Sequence, residues 1–111
     1  MLARKLRICK KSDFDRIFKL GSHLNSSLVK IFWLKNDLSE CRFAFVVPNS
    51  VSKKSTVRNK IKRRLRAIVY KHLKEFVLGF DYIFMAQKSV IEINYQNLEQ
   101  HVIDQLKNIN Y

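Results

Sequence analysis

The 111-residue sequence carries 22 Lys and Arg against 9 Asp and Glu, which gives a net charge of +13 and an isoelectric point near 10.1. This length accommodates one domain with its own core and excludes two domains. The 47% hydrophobic content excludes a disordered tail, and no apolar run approaches the ~20 residues of a membrane span. The excess of positive charge predicts a polyanionic partner, with nucleic acid first and an acidic membrane surface second.

The cysteines and histidines show no spacing typical of a metal site. Cys9 and Cys41 form no CxxC pair. The three histidines are scattered along the chain, at His23, His72 and His101. We therefore expect two free thiols and no protein-bound metal. The basic N-terminus lacks the apolar centre of a secretory signal, so we expect a cytoplasmic protein.

The first predicted elements are a helix and two or three strands. The helix runs from Ser12, as its N-cap, to a stop at Gly21, with aromatic and aliphatic residues on one face. The β-branched and aromatic run over residues 28–34 predicts a strand, and Arg42–Val47 predicts a second. A short third strand is expected at Gly21–Ser26. We expect residues 1–10 to form a flexible basic arm.

The second half predicts a long helix, a strand and a C-terminal helix. Between Val57 and about Val77, apolar residues recur at spacings of three and four, and Gly79 follows. Residues 82–86 read as a buried strand, and residues 95–109 as a helix that Asn94 caps. This order predicts a single α+β domain over residues 1–111, with one sheet and helices packed on it. The strands at 42–47 and 82–86 are expected to pair in parallel.

Basic residues are concentrated in one part of the chain. Residues 41–74 contain no acidic residue but hold eleven of the 22 basic ones, namely Arg42, Lys53, Lys54, Arg58, Lys60, Lys62, Arg63, Arg64, Arg66, Lys71 and Lys74. On a helical wheel, one face of the long helix is apolar and the other is almost continuously cationic. A solvated helix surface normally interleaves Glu with Lys, and a helix lying on a membrane would need the apolar face that the core requires. The pattern therefore favours RNA or DNA binding.

The run Arg58-Asn59-Lys60-Ile61-Lys62-Arg63-Arg64-Leu65-Arg66 resembles the signature of the bacterial ribonuclease P protein family. Arg58, Asn59, Lys62, Arg63 and Arg66 match its conserved positions, and Lys60 replaces an Arg. The flanking elements are similar as well, including the strand before the run and the strand after it. The chain departs from the family at Asn49-Ser50, where a Lys pair is usual, and at Gln87, where an Arg is usual.

This resemblance implies that the chain is a protein subunit of ribonuclease P, an endoribonuclease that matures the 5′ ends of tRNA. The RNA subunit would carry out catalysis with Mg²⁺ held mainly by RNA and substrate, and the protein would supply no catalytic or metal-binding residue. The implied partners are ribonuclease P RNA and precursor tRNA, with no membrane or protein partner. The resemblance also implies a left-handed crossover between the parallel strands, although right-handed ones make up about 98% of cases.

The resemblance further implies two RNA-binding surfaces. The RNA-subunit surface comprises Lys53, Lys54, Arg58, Asn59, Lys60, Lys62, Arg63 and Arg66. The second surface is a cleft for the single-stranded 5′ leader, in which aromatic rings stack on bases beside a cation. Its residues are Phe14, Phe18, Lys30 and Phe32. The alternative for Phe14 and Phe18 is an ordinary core-facing helix, since a spacing of four is typical of one.

Two other functions remain open from the sequence. One is a ribosomal-protein-like or other structural RNA-binding domain without a processing role. The other is a metal-dependent nuclease acting alone, which would need clustered carboxylates to hold metal ions. The nine acidic residues are scattered, and no nucleophile or acid–base pair stands out.

Overall fold

The computed structural model describes residues 6–111, and its elements follow the predicted order of helix, three strands, helix, strand and helix. The first helix, α1, spans Lys11–Leu20. The predicted cap at Ser12 is wrong, because Lys10 is the N-cap and Ser12 lies inside the first turn. The Lys10 carbonyl accepts the amides of Asp13 and Phe14 at 3.1 and 3.2 Å, so the helix begins before the serine.

Gly21 ends α1, as predicted, but for a steric reason. Its backbone is extended rather than left-handed, and its amide donates to the Ile17 carbonyl at 2.9 Å. A Cβ at this position would lie 2.5 Å from the Ile17 oxygen and 2.8 Å from the Trp33 oxygen. Only glycine therefore allows α1 to pass this close to the sheet.

The four strands form one mixed sheet. They are β1 (Ser22–Leu24), β2 (Val29–Lys35), β3 (Arg42–Val46) and β4 (Phe80–Ala86), in the spatial order β1-β2-β4-β3. The pairs β1–β2 and β2–β4 are antiparallel, while β3 and β4 are parallel. The short third strand and the parallel pairing are thus confirmed, and the hand of the β3–α2–β4 crossover stays a prediction.

The second helix, α2, spans Ser55–Lys71 and is shorter than the predicted Val57–Val77. Its apolar spacing continues past residue 71, but the backbone of His72 leaves the helical region and a short 3₁₀ turn follows at Leu73–Glu75. The third helix, α3, spans Tyr95–Lys107. Asn94 caps it as predicted, since its side-chain oxygen accepts the Asn97 amide at 2.8 Å.

The sheet is covered on both faces. Residues Val29, Ile31 and Trp33 of β2 point to one side, where they join a core shared with α2 and α3. On the opposite side Phe32 packs with Ile17 of α1. The sheet therefore separates α1 from α2 and α3. Among residues 6–111, no helix has both the length and the apolar character needed to cross a membrane.

The N-terminal segment is attached to the edge of the sheet where the structure describes it. Residues 1–5 of the predicted arm lie outside the described residues. Arg7 forms a parallel bridge with Phe43, and the Ile8 amide donates to the Phe43 carbonyl at 2.9 Å. The Ile8 side chain is buried in the α1 side of the core. Residues 7 and 8 are therefore held by β3 and are not part of a flexible arm.

Candidate nucleic-acid interface

The outer face of α2 is cationic, as its sequence pattern predicts. Ile61, Leu65, Ile68 and Val69 are buried against the sheet. The opposite side carries the set that we name the basic face: Lys60, Lys62, Arg63, Arg64 and Arg66. Within residues 6–111, no carboxylate lies in ion-pair contact with any of these five side chains. Their charge is therefore available to an external anion.

The loop before α2 carries two further cations, Lys53 and Lys54, at the N-terminal end of the helix. The Arg58 guanidinium donates to the Ser52 carbonyl at 2.9 Å, and the Lys54 amide is 3.2 Å from the Ser52 hydroxyl oxygen. Lys53 and Lys54 are exposed. Arg58, predicted as an RNA contact, thus holds the loop that presents the two lysines.

Asn59 lies in a shallow groove along α2. The groove encloses about 480 Å³ and is lined by Thr56, Asn59, Lys62, Arg63 and Arg66. Thr56, Asn59, Arg63 and Arg66 recur at spacings of three and four, so the groove follows the helix axis. Asn59 and Thr56 add neutral hydrogen-bonding groups to three cations in this lining, which suits a run of phosphates.

The predicted leader-cleft residues come together on the α1 side of the sheet. The ring centroids of Phe18 and Phe32 are 4.9 Å apart and perpendicular, and those of Phe14 and Phe18 are 6.4 Å apart. The Lys30 ammonium lies 5.1 Å from the Phe32 centroid, a cation–π contact. Phe18 is 39% exposed, whereas Phe32 is only 8% exposed. The Phe18 ring is therefore accessible to a ligand, and the buried Phe32 ring packs against it.

His23 belongs to this aromatic cluster and was missed from the sequence. It lies on β1 directly opposite Phe32, with the two ring centroids 5.7 Å apart. Its side chain is exposed. The signal available was the short strand at residues 21–26, whose pairing with β2 places residue 23 beside residue 32.

A further groove, which we name the third groove after the α2 groove and the leader cleft, joins the two predicted surfaces. It encloses about 260 Å³ between α1, β3 and α2. Phe14 and Phe45 line it together with Lys62 and Arg66 of the basic face, and Arg7 and Cys9 complete its rim. The aromatic cluster and the basic face are therefore continuous through Phe14, rather than separate as the sequence implied.

The acidic residues with described partners are engaged elsewhere. Asp13 and Asp81 pair with Arg42 beneath α1. Glu99 of α3 contacts His72 at 2.9 Å and Lys71 at 3.1 Å, and the hydrogen bond from His72 is the main reason that the pKa of Glu99 is lowered. Within residues 6–111, no group of three or more His, Cys, Asp or Glu side chains is arranged to hold a metal ion.

The two thiols are free, as expected. Cys9 is exposed at the rim of the third groove. Cys41 is buried and donates to the Val77 carbonyl at 3.0 Å. Burial raises the pKa of the Cys41 thiol above its ordinary value.

Known sequences and structures resemble this chain along most of its length. The family model for Ribonuclease P matches residues 2–110. The ribonuclease P protein component of Streptococcus agalactiae serotype III is 32% identical over 109 residues, which cover 96% of this chain and 95% of that protein. The corresponding protein of Pelotomaculum thermopropionicum is 26% identical over 98 residues, covering 88% and 87% of the two chains.

The solved structures that resemble this chain belong to the same family as the related sequences. The RNase P protein from Thermotoga maritima superposes with a TM-score of 0.86 at 27% identity, covering 95% of this chain and 98% of that one. The Staphylococcus aureus RNase P protein gives a TM-score of 0.82 at 27% identity, with the same coverage. The α+β fold is thus confirmed, and a ribosomal-protein-like domain without a processing role is not favoured. The chain belongs to the ribonuclease P protein family.

Proposed function

We propose that this chain binds ribonuclease P RNA through the basic face of α2 and binds the 5′ leader of precursor tRNA through the aromatic cluster. The observation that carries the proposal is the third groove, in which Phe14 lies beside Lys62 and Arg66. A leader stacked on the aromatic cluster would therefore lie next to ribonuclease P RNA bound along the basic face of α2. This arrangement would hold the single-stranded leader beside the RNA subunit that cleaves it.

Binding to the RNA subunit rests on unpaired positive charge. The five cations of the basic face are joined by Lys53 and Lys54 of the preceding loop, which gives seven side chains for phosphates. Arg side chains can each bind a phosphate through two parallel hydrogen bonds. Asn59 adds a neutral donor in the same groove. Arg58 contributes by holding the loop at Ser52.

Binding to the leader rests on the geometry of the aromatic cluster. The exposed Phe18 ring is fixed by its perpendicular contact with Phe32, so stacking a base on it requires little reordering. Lys30 on the same strand face and His23 on β1 border the platform. Such a site holds single strands without reading their sequence, because every base has a π-face.

We place the bond-breaking chemistry in the RNA subunit. Asp13 and Asp81 pair with Arg42, Glu99 pairs with His72 and Lys71, and no acidic residue of the described chain lines the third groove. Mg²⁺ would be held by the RNA and the substrate, whose phosphate oxygens are its usual ligands. The cytoplasmic location is part of this proposal.

Reconstitution tests the proposal. Adding the protein to ribonuclease P RNA at low Mg²⁺ should stimulate removal of the leader, and the protein alone should not cleave. The Lys107→Ala variant, which removes an exposed cation from α3, should stimulate like the wild type. A wild-type protein that does not stimulate removal of the leader would contradict the proposal. Cleavage without the RNA subunit would instead favour a metal-dependent nuclease acting alone.

A further inference from the structure

Tyr70 lies within the cationic surface of α2, one turn after Arg66. At 100° per residue, its direction from the helix axis is about 40° from that of Arg66 and about 20° from that of Arg63. It therefore points from the middle of the basic face rather than from its border. No other aromatic side chain of α2 shares this position, because residues 55–71 contain no Phe, Trp or second Tyr.

The Tyr70 side chain is exposed and lies outside the hydrophobic core. It is 53% exposed. Within residues 6–111, its hydroxyl makes no hydrogen bond and its ring contacts no other ring, whereas the hydroxyls of Tyr82 and Tyr111 bond to each other at 2.7 Å. A single exposed aromatic is common on protein surfaces. An exposed aromatic side chain that lies among cations and outside the core is better explained as part of a ligand-binding site.

Two shallow depressions meet at the Tyr70 ring. One encloses about 300 Å³ and is lined by Arg63, Arg66, Ala67 and Tyr70. Ala67, whose side chain is a single methyl group, is part of this lining, so a flat group can approach the helix between Tyr70 and the two guanidinium groups. The other depression continues past the end of α2 along Lys71 and Lys74, and Glu75, whose carboxylate contacts His72, also lines it.

We infer that Tyr70 is a stacking site for an unpaired base of ribonuclease P RNA, with the guanidinium groups of Arg63 and Arg66 on the flanking phosphates or on the same base. The inference rests on the proposed function and extends it. Tyrosine rings and Arg planes are the side chains on which splayed RNA bases stack. The positive surroundings match the charge of an RNA backbone.

The occupant is the RNA subunit rather than the leader. Tyr70 does not line the groove that contains Phe14, which includes Arg66 as its last residue of α2. A leader held by the aromatic cluster would therefore leave α2 before reaching residue 70. The surface around Tyr70 faces away from the α1 side of the sheet, where the aromatic cluster lies.

Affinity measurements test the inference. The full-length Tyr70→Ala protein should bind ribonuclease P RNA roughly 5- to 150-fold more weakly, the range expected for loss of one stacked base. Tyr70→Phe should bind like the wild type, since the ring is retained. The salt dependence should not change in either variant, because no charge is removed. Leu78→Ala, which truncates an exposed apolar side chain outside the basic face, is the matched control.

The other possible results of these measurements would contradict either the inference or the proposed function. Equal affinity of the Tyr70→Ala and wild-type proteins would overturn the inference, while normal stimulation of cleavage would leave the proposed function intact. Equal weakening in the Ala and Phe variants would replace stacking by a hydroxyl contact and also overturn it. Weaker binding of precursor tRNA without weaker binding of the RNA subunit would show that the occupant is wrong. A wild-type protein that fails to bind the RNA subunit would instead reject the proposed function itself.

A spectroscopic variant gives a readout that a purely structural role would not change. The sequence has one tryptophan, Trp33, which is buried in the core. The Tyr70→Trp variant therefore adds a single exposed indole to α2. Its emission should change on addition of ribonuclease P RNA, as expected for base stacking, while the wild-type emission should stay nearly constant. Unchanged emission of the variant at saturating RNA would contradict the stacking.

Discussion

Arg42 and Asp81 form a two-point ion pair across the parallel strands β3 and β4. The Arg42 Nε lies 2.9 Å from Asp81 Oδ1, and its Nη2 lies 2.6 Å from Oδ2. Asp81 is fully buried and also accepts from Asn36 Nδ2 at 2.8 Å. The hydrogen bonds between Arg42 and Asp81 are the main reason that the pKa of Arg42 is raised above its ordinary value. Through a 3.4 Å contact between Arg42 and Asp13, the pair also ties α1 to the sheet.

We expect the Asp81→Ala variant to lose about 3 kcal/mol of unfolding free energy, since removing one partner leaves a charge in a partly buried site. Urea denaturation followed by circular dichroism measures this loss. Asp13→Ala is the control, because it removes the longer contact with Arg42 and an acidic side chain from the first turn of α1, and should cost about 1 kcal/mol. Equal losses in the two variants would show that burial of Asp81 does not govern its contribution.

The salt dependence of RNA binding reports on the basic face. If about seven cations contact phosphates, the slope of log affinity against log salt should be roughly −5 to −6. Arg63→Ala and Arg66→Ala should each make the slope shallower by about one. Lys107→Ala should leave it unchanged. An unchanged slope in both arginine variants would place the phosphate contacts elsewhere.

The leader site is best tested at Phe18. Phe18→Ala should weaken binding of precursor tRNA by roughly fivefold or more through the lost stack, while binding of mature tRNA stays the same. Phe32→Ala should show the same selectivity but also lower stability by about 3 kcal/mol or more, because Phe32 is buried in the core.

Leu20→Ala provides the control for Phe18, since it truncates an exposed residue of the same helix. Equal weakening of precursor and mature tRNA binding by Phe18→Ala would assign Phe18 to packing alone.

Stability should depend on pH through Glu99. Its pKa is lowered, chiefly by the hydrogen bond from His72 and then by Lys71. The folded protein therefore holds the charged carboxylate more tightly than the unfolded chain does. This stabilisation is complete above about pH 4.5 and is lost as the pH falls below that value.

The Glu99→Gln variant should accordingly be less stable than the wild type at about pH 6, by at most about 1 kcal/mol. The difference should narrow at about pH 3.5. Gln96→Ala, an uncharged exposed residue of the same helix, should differ from the wild type by the same amount at both pH values. A Glu99→Gln difference that does not vary with pH would contradict the assignment.

Local periodicity predicted the elements better than their ends. The spacing of Ile61, Leu65 and Ile68 predicted α2, and all three are buried. Phe76 continues the same spacing and is also buried, yet it lies beyond the helix. Where the helix ends, the His72 side chain contacts Glu99, a residue 27 positions later on α3. Such a contact between distant elements leaves no local pattern in the sequence.

Local alternation predicted which neighbouring side chains share a face, but not how the two proposed surfaces join. Alternation along β2 placed Lys30 and Phe32 on one face, and the structure brings them into contact. The continuity from Phe14 to Arg66 depends on how α1 and α2 approach opposite faces of the sheet at the β3 edge. Periodicity within each helix does not contain that information.

The attachment of Arg7 and Ile8 to Phe43 affects how the protein avoids self-association. β3 is an edge strand, and an uncovered edge offers free amide and carbonyl groups to another chain. The Ile8 amide already occupies the Phe43 carbonyl, and the buried Ile8 side chain holds the segment in place. A second molecule that paired with β3 at Phe43 would have to displace this segment. The N-terminal residues thus help to keep the sheet from growing across molecules.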